Sequence, residues 1–249
     1  MTERLRLSGL TKTFGGLTVA SHIDLSLNDG DRTALIGPNG AGKTTLINLI
    51  SGALAPSAGD IHLDGARLNP LDQASRTRLG IVRTFQVSRL CRDLSVIENV
   101  SLALIQRHRA AFRLWPSARR DRAIRSEAIA LLEPLGLADK AGRLVGALAY
   151  GEQRLIEIAI ALALNPRVLL LDEPAAGVPE SESGVILDLL SRLPGDLPIL
   201  LIEHDMELVF RFARRVIVLV AGAILFEGTP AEVAENQQIR EIYFGRGGH

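Results

Sequence analysis

The run Gly37-Pro38-Asn39-Gly40-Ala41-Gly42-Lys43-Thr44-Thr45 lies between Arg32-Thr33-Ala34-Leu35-Ile36, an apolar strand-like segment, and Leu46-Ile47-Asn48-Leu49-Ile50, which reads as the opening of a helix. Taken alone, three glycines here could form a turn that caps a helix beside a core strand. The complete pattern with its Lys-Thr ending, set at a strand-to-helix junction, is instead a phosphate-binding loop. It restricts the fold to an α/β class in which such loops stand at the carboxyl edge of a sheet. Gly37, Gly40 and Gly42 let the backbone turn tightly and aim successive N–H groups at phosphate oxygens. The helix that follows adds its positive end. Lys43 carries a charge that can bridge β- and γ-phosphates, Thr44 offers a hydroxyl to Mg²⁺, and Thr45 can bond phosphate or backbone.

A second segment answers the first. Val168-Leu169-Leu170-Leu171 is an unbroken apolar run of the kind buried on both faces of a parallel sheet, and it delivers Asp172 and Glu173 to its carboxyl end. Two adjacent acids after a strand, seen alone, read as a solvated strand end. Paired with the phosphate loop they supply an aspartate for Mg²⁺ through its water shell and a glutamate to polarise an attacking water. The expected ligands are ATP and Mg²⁺, and the expected reaction is in-line attack of water on the γ-phosphate.

The composition narrows the remaining choices. The 249 residues are 47% hydrophobic, enough for one large core or a core with a small lobe. Twenty-eight basic and 28 acidic residues cancel, so there is no general electrostatic drive toward nucleic acid, and the Arg107–Arg109 and Arg119–Arg122 clusters read as solvated helix faces. Cys91 is the single cysteine, which leaves no disulfide framework, and it reads as a small packing residue. No segment reads as a secretory leader or as a membrane span.

Along the chain, Leu5–Leu7, Thr18–Ile23 and Leu25–Leu27 read as short strands, with a bend at Phe14-Gly15-Gly16. Val87 to Ala163 changes to alanine- and leucine-rich helical periodicity, interrupted near Trp115-Pro116, Glu133-Pro134 and Leu144–Tyr150. Val216 to Phe226 reads as a hairpin bent at Gly222, and Pro230 to Tyr243 as one terminal helix with an apolar stripe through Val233, Ile239, Ile242 and Tyr243.

Further motifs stand in order around the phosphate site: Gln86 after the strand-like Gly80–Phe85, Leu148-Ala149-Tyr150-Gly151-Glu152-Gln153, and Glu203-His204-Asp205. With them the chain resembles, over essentially its whole length, the nucleotide-binding subunit of an ABC transporter. The resemblance implies a P-loop NTPase of the ABC ATPase type: a RecA-like core, an N-terminal antiparallel β subdomain and a helical subdomain. The implied division is residues 1–86 and 164–229 for the core with its β subdomain, 87–163 for the helical signature subdomain, and 230–249 for a terminal helix and tail. By the same resemblance Gln86 contacts Mg²⁺ or water, His204 is the switch histidine, and Phe14 is an adenine platform. Ala149, Tyr150, Gly151, Glu152 and Gln153 form a signature that meets the γ-phosphate held by a second subunit, so two chains sandwich two ATP molecules.

Two departures stand out. Ala149 occupies the place of a usual serine, and Pro179 that of a usual aspartate in the loop after Glu173. Arg83-Thr84-Phe85-Gln86, Ser95–Val100, Tyr150–Arg154, Asp172–Gly177 and Ile202–Met206 further resemble the larger ATP-binding subunit of branched-chain amino-acid importers. That implies a second homologous ATPase subunit or a homodimer, two membrane permeases, and a periplasmic solute-binding protein met only indirectly. The chain would sit peripherally on the cytoplasmic face of a bacterial inner membrane. Leucine-like amino acids, urea, short amides and aromatic acids all remain open as cargo. Leu90, Leu94 and Val96 are nominated as permease contacts, burial inside the helical lobe being the alternative. Soluble ABC ATPases of DNA repair or translation share the nucleotide motifs, but the chain has neither a long coiled coil nor tandem cassettes. A non-hydrolysing scaffold is the other alternative.

Overall fold

A computed structural model describes residues 2–84, 90–108, 117–178 and 180–244. The chain opens with a hairpin of β1 (Glu3–Phe14) and β2 (Leu17–Asn28), then β3 (Arg32–Ile36) runs through the glycine loop into α1 (Lys43–Ser51). Strands β4 (Ala58–Leu63) and β5 (Ala66–Arg67), helix α2 (Gln73–Leu79) and strand β6 (Ile81–Arg83) follow. Among the described residues, helices α3 (Val96–His108), α4 (Ser117–Leu132) and α5 (Tyr150–Ala163) come next. Strand and helix then alternate through β7 (Val168–Asp172), α6 (Glu180–Arg192), β8 (Ile199–Ile202), α7 (Met206–Phe212) and β9 (Arg215–Val220). The described chain closes with β10 (Ala223–Gly228), α8 (Pro230–Glu235) and α9 (Gln237–Phe244).

Two sheets result. One is antiparallel in the order β2-β1-β4-β5; the other has six strands in the order β10-β9-β3-β8-β7-β6, all parallel except the β9–β10 hairpin. The central strands are buried on both faces, and successive side chains go to different cores, as the period of two requires. Leu169 and Leu171 of β7 pack with α5, α6 and the helical segment, whereas Val168 and Leu170 pack with α1 and the antiparallel sheet. Ala34 and Ile36 of β3 face a third cluster with Val209, Val233 and Ile239, so α7, α8 and α9 cover that end of the sheet. Among the described residues no helix is long and apolar enough to cross a membrane.

The structure revises three local expectations. The short strands read near the N-terminus are two 12-residue strands, because the breaks in pattern are register shifts absorbed near Gly9 (φ 57°) and His22 (φ 49°). The expected single helix from Pro230 is two helices. Asn236 is extended (φ −73°, ψ 113°), and its Oδ1 accepts from Ile239 N at 3.1 Å, so it restarts the chain as an N-cap. Val233 and Ile239 of the expected stripe are still buried. Cys91, expected to pack, is exposed; its backbone N–H and C=O instead bond the Asn99 amide at 2.9 and 3.1 Å.

Arg76 anchors the phosphate-loop helix from below. It is 1% exposed, donating from Nη1 to Leu49 O (2.7 Å) and Ile50 O (3.0 Å) and from Nε to Leu71 O (3.1 Å). Leu49 O and Ile50 O stand in the last turn of α1, where carbonyls run out of N–H partners from a continuing helix, and Leu71 O precedes α2. Burial pushes the guanidinium below its ordinary pKa. Arg76→Ala strands those carbonyls and opens a void, so a stability loss of about 3 kcal/mol is expected. The corresponding fall in thermal midpoint is roughly 6–12 °C for a chain of this size; a midpoint within a degree of the parent would contradict the anchoring role.

Candidate active site

Strand register assembles the site. Leu35 pairs with Ile202 and Asp172 also pairs with Ile202, so β8 and β7 end level with one another and β3 one residue beyond them. The next residues, Gly37, Glu203 and Glu173, therefore emerge on one carboxyl edge, where open α/β sheets bind their ligands.

The phosphate loop is held tightly from outside. A Cβ at Gly37 would stand 2.2 Å from Leu219 O, and one at Gly42, where φ is 105°, would stand 2.6 Å from Val19 O. Only glycine permits both the conformation and this approach of β9 and β2. The β9–β10 turn adds a bond from Gly222 N to Ala41 O (2.9 Å). Lys43 opens α1, and its ammonium donates to Gly37 O (2.6 Å) and Pro38 O (3.1 Å). Burial lowers its pKa, while the charges of Glu173 and Asp172 oppose that shift, so the lysine shares a field with both acids. Thr44 is exposed beside it and Thr45 is half-buried.

Asp172 is buried, and its Oδ2 accepts from Arg83 Nη2 at 2.6 Å. Arg83 Nη1 also donates to Asn48 Oδ1 of α1 at 2.6 Å. One guanidinium thus ties β6, β7 and the phosphate-loop helix together. Sequence reasoning missed it as a site residue; its signal was a cation ending the apolar strand Gly80-Ile81-Val82. Glu173 takes a left-handed backbone conformation (φ 48°), a strain of about 1–2 kcal/mol for a residue with a side chain. Bonds from Glu173 N to Ile202 O (2.9 Å) and from Ala176 N to Glu173 O (3.0 Å) hold it there. Strain of this kind gathers at functional sites.

His204 stands opposite, its Nδ1 4.0 Å from Glu173 Oε1 and 3.9 Å from Glu203 Oε2. Glu203, quoted in the sequence only as a neighbour of the histidine, is 1% exposed. Desolvation pushes its pKa up, against the backbone N–H groups of Ala175 and His204, which bond its carboxylate.

The signature segment starts α5. Ala149 is the N-cap, in an extended conformation with no side-chain bond to the helix, while Glu152 Oε2 accepts from Ala149 N at 3.0 Å. Half of a reciprocal capping arrangement is therefore present and the hydroxyl half is missing. Lys140 bonds Glu152 and, with the Ala149 N–H, holds its carboxyl below the usual pKa despite burial. Ala149→Ser restores a cap worth about 1 kcal/mol. A rise in thermal midpoint of roughly 2–4 °C is expected, and no rise would mean that the hydroxyl does not cap α5. Tyr150 leans on the loop after Glu173, since a Cβ at Gly177 would lie 3.3 Å from its ring. Arg154 stays against that ring, donating to the Tyr150 hydroxyl at 2.6 Å. Gly151 and Gln153 lie in the same first turn, and Gln153 Nε2 donates to Leu148 O at 3.0 Å.

The other expected residues are scattered. Phe14 ends β1 and is 49% exposed, with Lys12 Nζ 5.0 Å from its ring centroid, so it does not fill a core. Gln86 and Pro179 lie outside the described residues. Leu90 and Val96 are buried in the cluster of the helical segment, which removes them as surface contacts because they supply that segment's own core; Leu94 is half-buried. Among the described residues of that segment, Leu102, Ile105, Leu144 and Tyr150 are large hydrophobic side chains that stand exposed.

Known proteins share this arrangement at full length. The family described as "ABC transporter" matches residues 20–176. The branched-chain amino acid transport ATP-binding protein BraF of Pseudomonas aeruginosa is 38% identical, and the corresponding LivG of Escherichia coli 39%, each alignment covering 97% of this chain and 97% of the relative. The ADP conformation of an ATP-binding cassette of an ABC transporter superposes with a TM-score of 0.85 at 30% identity, over 99% of this chain and 100% of that one. A nucleotide-free cassette superposes at 0.83 and 29%, over 98% and 100%. A family match over more than half of the chain and relatives 38–39% identical over nearly its full length show that the chain belongs to the ABC transporter family as an ATP-hydrolysing subunit.

Proposed function

We propose that this chain energises import of branched-chain amino acids, or of small solutes chemically like them, as one of two ATPase subunits beneath a pair of membrane permeases. The observation that carries this reading is the register of β3, β7 and β8, which sets Lys43, Asp172, Glu173 and His204 on one edge of a chain whose full-length relatives are named for that transport. Residues 1–86 and 164–229 would act as the nucleotide-binding core, 87–163 as the signature lobe and 230–249 as a cover. The chain would work peripherally, at the cytoplasmic face of the inner membrane, with a periplasmic binding protein delivering cargo from the other side.

The site suits Mg-ATP: a glycine cradle at a helix N-terminus, a partly buried ammonium, an exposed threonine hydroxyl and a buried carboxylate. Bound Mg-ATP supplies the transferable phosphoryl group and the charge that the site must balance. The backbone N–H groups of the loop, Pro38 having none, and the Lys43 ammonium would grip phosphate oxygens. Thr44, Asp172 and Gln86 would hold the metal side, with Arg83 keeping Asp172 in place. Glu173 takes a proton from the attacking water, and His204 orients that water and the γ-phosphate. Phe14 stacks on the base, its exposed face leaving room for it. Residues 149–153 face the nucleotide of the second subunit, and Tyr150 against Gly177 gives each signature a link to its own hydrolytic loop.

Copurification with the permeases and companion ATPase, followed by Mg-ATP hydrolysis with binding protein loaded by single solutes, tests the reading. Stimulation by leucine, isoleucine or valine is expected. Stimulation by an aromatic acid or an amide alone would replace the cargo, and failure to associate with any permease would overturn the transport role.

A further inference from the structure

Glu203 is a buried carboxylate that the hydrolytic roles above leave unused. It follows β8 directly and is 1% exposed, and among the described residues no lysine or arginine pairs with it. An apolar side chain would continue the strand into the core at less cost, because burying an acid forfeits its hydration. What the acid gains is specific. Its Oε1 accepts from Ala175 N at 3.0 Å, two residues beyond Glu173, and its Oε2 accepts from His204 N at 3.2 Å. The same Oε2 lies 3.9 Å from His204 Nδ1, whose other carboxylate neighbour is Glu173 at 4.0 Å.

We propose that Glu203 is a positioning residue of the hydrolytic site, the buried carboxylate that fixes the Glu173 loop and the His204 imidazole relative to each other. The inference rests on the reading of Glu173 and His204 as the hydrolytic pair. Geometrically it supplies the third member that such pairs use, a group that orients the partner of the base without touching substrate. The exposure gradient agrees with that order of roles: the Glu203 side chain is 1% exposed, Glu173 27% and His204 66%, so the anchor is the rigid end and the imidazole the accessible one. The bond to Ala175 also pins the turn that keeps Glu173 in its left-handed conformation, tying the base to the same anchor. Since β8 and β7 are paired through Leu171–Leu201 and Asp172–Ile202, both ends of the clamp move with one sheet.

Glutamine at 203 has one carbonyl oxygen, so it can accept only one of the two N–H bonds and turns its amide donor toward the other. In the full chain within its assembled transporter, Glu203→Gln is expected to lower kcat by about 10- to 100-fold, the scale of a misplaced catalytic geometry. KM for Mg-ATP should stay within about twofold, because the phosphate loop is untouched. His204→Ala and the double variant complete a cycle: residues that act through one another lose less together than the product of their separate losses. Unchanged kcat in Glu203→Gln, a KM that rises in step with the loss, or losses that multiply would each overturn the inference. If the Gln variant does not fold, Glu203→Asp replaces it. Its charge is drawn back by one methylene, and the same fall in kcat, steady KM and less-than-multiplied losses are expected. Glu173→Gln is run alongside: undiminished turnover there overturns the reading of the site and the inference with it, while lost turnover with Glu203→Gln at the parent rate overturns the inference alone.

Discussion

Glu173→Gln is expected to retain Mg-ATP binding while steady-state turnover falls by about 10²- to 10⁴-fold, the range that removing a positioned general base produces. The amide is nearly isosteric with the acid and keeps an acceptor oxygen, so the left-handed backbone at φ 48° and the bond from Glu173 N to Ile202 O should survive. What disappears is the basicity that the proposed role of Glu173 requires, drawing a proton from water. On the proposal that the signature of each subunit faces the nucleotide of the other, a pair that binds ATP without cleaving it should also stay closed. Single-turnover and steady-state phosphate release, nucleotide titration and the hydrodynamic size of the ATP-bound subunit are the measurements. Turnover equal to the parent would remove Glu173 from the role of base, and loss of binding with turnover would point to a structural lesion at the end of β7.

Lys43→Ala is expected to act earlier, on affinity itself. The ammonium lies over the loop, bonded to Gly37 O and Pro38 O at 2.6 and 3.1 Å, in a field shared with Asp172 and Glu173. A charge-assisted hydrogen bond is worth about 1.5–3 kcal/mol, which corresponds to a loss of roughly 10- to 150-fold in ATP affinity. Turnover at saturating nucleotide should also fall, because the same charge balances the phosphoryl group in the transition state. The loop should keep its shape, since Gly37 and Gly42 are packed against Leu219 O and Val19 O independently of the lysine. Equilibrium titration with ATP separates the two effects. Affinity and kcat both within twofold of the parent would end the assignment of Lys43 as phosphate clamp.

The elements of the fold were largely legible in the residues. The phosphate loop, the buried strand bearing Asp172 and Glu173, the hairpin of β9 and β10 and the helical segment each rest on patterns shorter than about 20 residues, the scale on which periodicity and glycine chemistry operate. The structure places those elements accordingly. Where the reading failed, a local pattern met a non-local decision or an overlooked cap. The hairpin of β1 and β2 swallowed its irregularities because β4 pairs alongside, and Leu90 and Val96 turned inward because the helical segment needed them for its core. Asn236 broke the terminal helix through a capping signal that was present and not weighed.

The sequence by itself determined the fold class and nominated Lys43, Asp172 and Glu173 from short stretches whose physics is local, whereas it nominated His204 only through the family resemblance. Only the tertiary structure decided that Arg83 holds Asp172 from 89 residues away, that Tyr150 rests on Gly177, and that Glu203 is buried between Ala175 and His204. Those contacts depend on the order and register of strands in one sheet. Register is settled by the summed burial of both faces rather than by any single segment.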